Sequence, residues 1–96
     1  MVIMILKYVK PLEEVDQHLI PHRAFLDECF KQKKFICSGR QKPPVGGVIL
    51  ANVDSVDEAK AISQEDPFVI HKVAEYSFIE FGVGKYDERF VCFLNK

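Results

Sequence analysis

The sequence predicts an α+β fold, a ferredoxin-like split β-α-β protomer with an antiparallel sheet. Segments of strand and helix pattern follow one another as strand, helix, strand, strand, helix, strand. Stretches rich in glycine and proline separate several of them. The strand segments carry apolar side chains on both faces, yet two helices can blanket only one face of a four-stranded sheet. A second copy of the chain is the simplest cover, so a homodimer packed through sheet faces is expected.

Residues 2–9 are rich in β-branched side chains and end before Lys10-Pro11, which predicts the first strand. Residues 11–17 are polar and suit a helical turn. From Ile20 or Pro21 to about Lys33 the pattern becomes helical, and Pro21 fits a first turn. Phe25, Leu26, Cys29 and Phe30 form its apolar stripe, with Arg23, Asp27, Glu28 and Lys31 on the wetter side. His22 stands one turn before Phe25 and Leu26 and therefore points toward whatever that stripe packs on. Residues 35–38 predict a short second strand, residues 39–47 a loop, and residues 48–53 a third strand. Ser55 followed by Glu58 fits a capping box. The helix it opens buries Val56, Ala59 and Ile62 and stops near Asp66, ahead of Pro67. Residues 68–73 add a helical turn, residues 75–81 a fourth strand, residues 82–89 a loop, and residues 90–94 a fifth strand at an edge.

A chain of 96 residues is expected to form one domain over residues 1–96. Its formal charge of −1 argues against a nucleic-acid partner, which needs a broad positive surface. No segment has the length and apolarity of a membrane span. The apolar start lacks a basic leader and a small-residue cleavage site, so a cytoplasmic location is expected. Cys29, Cys37 and Cys92 are widely spaced, form no CxxC pair and sit in apolar runs, where cysteine acts as a small hydrophobe.

Among the residues able to carry chemistry, His22 stands out, because an imidazole exchanges protons near neutral pH. The bland reading of a histidine on an apolar stripe is a core residue with both nitrogens satisfied, and spacing alone favours it. Asp66 before Pro67-Phe68 reads as the cap of a helical turn. Its functional reading pairs it with His22 to orient the ring, and spacing alone does not bring the two together. His18 and His22 are four residues apart, with Asp16 and His71 elsewhere, but no third ligand follows at a typical spacing. No metal and no cofactor are therefore assigned. Lys31, Lys33, Lys34, Arg40 and Lys42 form a basic stretch without an acidic residue, either a solvated surface or a means of steering a small anion. There is no P-loop, no GxGxxG and no serine triad, and Gly46-Gly47 suits relief of backbone crowding better than phosphate binding.

Four stretches together resemble the YciI-like (YCII-related) family of the dimeric α/β-barrel group. They are Lys10-Pro11-Leu12-Glu13-Glu14-Val15; Pro21-His22-Arg23-Ala24-Phe25-Leu26; Phe35-Ile36-Cys37-Ser38-Gly39 leading to Gly46-Gly47-Val48-Ile49-Leu50; and Glu65-Asp66-Pro67-Phe68 followed by Ala74-Glu75-Tyr76 and Ile79-Glu80-Phe81. The resemblance implies a homodimer and a cleft holding a histidine and an aspartate, here His22 and Asp66, as the catalytic pair. It places Ser38 and Gly39 at a strand end lining that cleft. Arg40 stands where the family usually has proline and adds charge beside the pocket, so Ser38, Gly39 and Arg40 are the expected substrate-binding residues. Lys33 stands where the family often has glycine, which implies a strained or different helix cap. Two functions follow. One is cofactor-independent acid–base chemistry of lyase or isomerase type on a small, perhaps anionic, organic molecule. The other is a non-catalytic metabolite-binding or accessory, regulatory dimer.

Overall fold

The computed structural model describes residues 1–94. It contains β1 (Val2–Tyr8), α1 (Leu12–Asp16), α2 (Leu19–Lys31), β2 (Phe35–Arg40), β3 (Gly46–Ala51), α3 (Val56–Ser63), α4 (Pro67–Ile70), β4 (Ala74–Glu80) and a 3-10 helix at Glu88–Phe93. The strands form one sheet in the order β2-β3-β1-β4, every neighbouring pair antiparallel. This is the ferredoxin-like α+β arrangement.

Period-two alternation in β1 sorts its side chains. Val2, Met4 and Leu6 are buried beneath the helices, whereas Ile3 and Ile5 turn to the other face and stay partly exposed. Register carries the alternation across the sheet, with Met4 opposite Ile49 and Phe78, and Leu6 opposite Gly47 and Tyr76. One core cluster joins Val2, Met4, Ile49 and Ala51 to Cys29 of α2 and Ala59 of α3. A second joins Leu6 to Val15, Phe68, Val73 and Ala74. Burying a side chain the size of Phe68 contributes about 1.5–3 kcal/mol, and that ring is fully covered.

The helix ends follow local chemistry. Lys33 adopts φ 61°, and Lys34 N–H and Lys33 N–H donate back to Cys29 O and Phe30 O. That is the Schellman closure, usually built on glycine and made here by lysine. Ser55 Oγ accepts from Glu58 N–H at 3.2 Å, but the Glu58 carboxylate reaches Asp54 N–H rather than Ser55 N–H. Half of the expected capping box is therefore formed as drawn, and the other half is shifted by one residue.

Two expectations are corrected. Residues 90–94 are not a strand. Asp87 Oδ1 accepts from Arg89 N–H and opens the 3-10 helix, in which Phe90 and Phe93 meet at helical spacing with ring centroids 5.2 Å apart. The loop expected over residues 39–47 is also shorter, because Gly39, Arg40, Gly46 and Gly47 belong to paired strands, Arg40 opposite Gly47. The glycines permit it. A Cβ on Gly46 would overlap the Leu6 carbonyl oxygen, and one on Gly47 would stand 3.1 Å from Gly39 O. Among the described residues no helix is long and apolar enough to cross a membrane.

Candidate active site: a buried histidine–aspartate pair

Pro67 cannot follow a helical residue comfortably, so the chain turns at Asp66 and restarts as α4. Asp66 caps that turn, Oδ1 accepting from Phe68 N–H at 2.9 Å. The same oxygen accepts from Nδ1–H of His22 at 2.8 Å, across 44 positions of sequence. Oδ2 accepts from the Tyr76 hydroxyl at 2.6 Å. Asp66 is fully buried, and its two oxygens are held by three donors from three elements. A carboxylate taken out of water persists only with such compensation.

The His22 ring lies flat on Phe68, centroids 3.8 Å apart and planes within 6°. Two contacts thus fix the imidazole: stacking sets its plane and Asp66 sets its rotation. With Nδ1–H given to Asp66, the neutral ring carries its lone pair on Nε2. Among the described residues no buried side-chain nitrogen or oxygen lacks a partner, and Nε2 has none, so that atom reaches open space. His22 lines a cavity of about 280 Å³ bounded also by Arg23 and Leu26 of α2, Phe68 of α4, and Tyr8, Ser38, Gly39, Arg40 and Val48 of the sheet. A proton carrier at its wall, backed by a buried carboxylate that offsets imidazolium charge, can move a proton to or from a molecule held there.

Ser38, Gly39 and Arg40 therefore lie in the same cavity wall as His22. Ser38 and Arg40 pair with Ile49 and Gly47 on the helix-covered face, while Gly39 contributes through its backbone. Arg40 is the one member of the basic stretch in this wall; Lys34 instead bonds Glu58 at 3.0 Å. His18 and His22 do not converge, because the His18 ring stacks on His71, centroids 4.1 Å apart. No cluster of three or more potential metal ligands occurs among the described residues. Burial, then the charges of Glu65, Asp66 and Glu28, pushes the Cys29 thiol up to about 11, so it packs as an unreactive thiol. Tyr76 and Phe68 were missing from the sequence-based site. Their signal was weak: Tyr76 is one aromatic among several in a strand, and Phe68 one apolar residue after a proline.

Fold and site together define a ferredoxin-like α+β protein with a buried histidine–aspartate pair beside a small cavity. The chain belongs to the YCII-related domain family, whose model matches residues 1–82. It is similar in structure to 5-chloro-2-hydroxyhydroquinone dehydrochlorinase (TftG) from Burkholderia phenoliruptrix AC1100 in complex with 2,5-dihydroxybenzoquinone. The TM-score is 0.70 at 19% identity, over 88% of this chain and 96% of that one. No curated relative matches the chain significantly.

Proposed function

We propose that the protein is a homodimeric, cofactor-independent enzyme of the cytoplasm that performs lyase- or isomerase-type proton transfer on a small organic molecule. The observation that carries the reading is the hydrogen bond between His22 Nδ1 and Asp66 Oδ1, which leaves Nε2 free on a ring that lines the cavity. In this mechanism Nε2 takes a proton from the substrate, and the Asp66 carboxylate stabilises the resulting imidazolium. The imidazolium then returns the proton to another position of the substrate or to its leaving group. Asp66 acts as a positioning residue and His22 as the catalytic one. A cavity of about 280 Å³ suits one ring rather than a nucleotide. The likeness to a dehydrochlorinase holding a dihydroxyquinone supports the same size class and a substrate bearing ring oxygens.

The test starts from a panel of small ring acids, phenols and quinones screened by thermal shift, since a ligand of the folded form raises stability with its concentration. Hits are then assayed for conversion. Turnover lost in His22→Ala with the fold and the oligomer retained is the expected result. Full activity in that variant sinks the catalytic role. Binding by every hit without conversion points instead to a metabolite-binding module.

A further inference from the structure

Proton transfer uses the helix side of the cavity and leaves its sheet side without a role. There the last residue of β1, Tyr8, meets the last of β2, Arg40. Arg40 Nε donates to Tyr8 Oη at 3.0 Å, and its Nη2 donates to Asp16 Oδ1 of α1 at 3.2 Å. The guanidinium carbon stands 5.7 Å from the Tyr8 ring centroid. Three elements thus fix one arginine at the cavity wall.

The direction of the Arg40–Tyr8 bond matters. A phenol oxygen carries one proton and two acceptor lone pairs. Arg40 Nε–H occupies a lone pair, so the Tyr8 proton points elsewhere, and no acceptor among the described residues takes it. Arg40 Nη1 likewise makes no hydrogen bond within the described residues. Around these free donors the lining contains a second cation, Arg23, and no carboxylate. A cavity with free O–H and N–H donors, no carboxylate in its lining and two arginines, of which Arg40 is paired with Asp16 from behind, favours negative charge on oxygen.

We propose that Tyr8 and Arg40 seat an anionic oxygen of the ligand, a phenolate or enolate, Tyr8 donating its hydroxyl proton and Arg40 aiming that proton while supplying positive charge. The inference rests on the cavity being the small-molecule site described above, and it adds what that molecule must carry. Arg40 acts largely through Tyr8 and is a positioning residue; Tyr8 touches the ligand.

Titration calorimetry with 4-nitrophenolate and its neutral methyl ether, 4-nitroanisole, tests the seat with molecules that need not react. The wild-type protein is expected to bind the phenolate at least tenfold more tightly than the ether. Tyr8→Phe and Arg40→Gln should each lower that preference about tenfold with ether affinity unchanged, the size expected for one hydrogen bond to a charged group. Arg40→Lys keeps the charge but not the fixed fork, and the same loss there separates aiming from charge alone. Arg40 is exposed, so its variants should fold; circular dichroism checks this for each variant. Equal affinity of the wild type for both probes, binding of neither, or a preference that survives Tyr8→Phe overturns the seat. His22→Gln is expected to keep the preference, which makes the outcome independent of whether His22 transfers protons.

Discussion

The Tyr76 hydroxyl lies 2.6 Å from Oδ2 of Asp66, the oxygen that His22 does not use. Burial first, then the neighbouring Asp66 charge, pushes the phenol above its usual range, so it stays a donor. Tyr76→Phe keeps the ring and removes only that donor, leaving a buried carboxylate oxygen unpaired. We expect a loss of about 1–3 kcal/mol in denaturant unfolding. An unchanged midpoint would show that the hydroxyl contributes nothing to holding the pair.

Asp66→Asn probes charge with little change of shape. The amide oxygen can accept from Phe68 N–H and His22 Nδ1–H, and the amide NH₂ can donate to Tyr76. Asparagine and aspartate cap helices comparably, so stability should change by roughly 1 kcal/mol or less. The negative charge that offsets imidazolium is gone, so turnover of the substrate found by screening should fall about 10²–10⁴-fold. Turnover at the wild-type rate in a folded Asp66→Asn protein excludes this role for the carboxylate. Asp66→Ala is the contrasting case: it also strips the cap and orphans two buried donors, and it should lose over about 3 kcal/mol.

Those two variants also explain what was legible beforehand. Strand and helix order was readable because β1 is short, rich in β-branched residues and ends before Lys10-Pro11, and because the α2 stripe repeats at helical spacing, both local properties. His22 and Asp66 could be named from their residue types and the family likeness, but their contact spans 44 positions and exists only once α4 docks against α2. Tyr76 was hidden because nothing local distinguishes a strand tyrosine that bonds a carboxylate from one that packs. The final segment misled for the opposite reason. Phe90-Val91-Cys92-Phe93-Leu94 has strand-like composition, whereas the Asp87 cap and the Phe90–Phe93 contact decide its geometry.

Lys33 closes α2 at φ 61°, and Lys72 closes α4 at φ 58° with Val73 N–H and Lys72 N–H returned to Phe68 O and Val69 O. Left-handed geometry costs a side-chain-bearing residue about 1–2 kcal/mol, partly offset for glycine by its looser unfolded state. Lys33→Gly should therefore stabilise the protein by about 0.5–1 kcal/mol and raise the melting temperature by a few degrees. The Lys33 side chain is exposed, so no packing is lost. A lower melting temperature would mean that lysine is favoured there by contacts other than the turn.

The sheet face away from the helices presents Cys37, Leu50, Ile3 and Ile79 in one register row, with Val48 beside Ile5 in the next. Val48 is 39% exposed and Ile79 50%. Stable dimers bury about 1,200–2,000 Å² in total, and an apolar sheet face shared by two copies supplies surface of that kind. Sedimentation should therefore give twice the mass of the chain. Leu50→Glu places a carboxylate at the centre of the proposed dimer face, where desolvation is costly, and should yield a folded monomer. Cys37 offers an independent readout, since its thiol neighbours Leu50 and should be alkylated slowly in the dimer and quickly in Leu50→Glu. A wild-type monomer, or a Leu50→Glu dimer with Cys37 still protected, would place the partner on another surface.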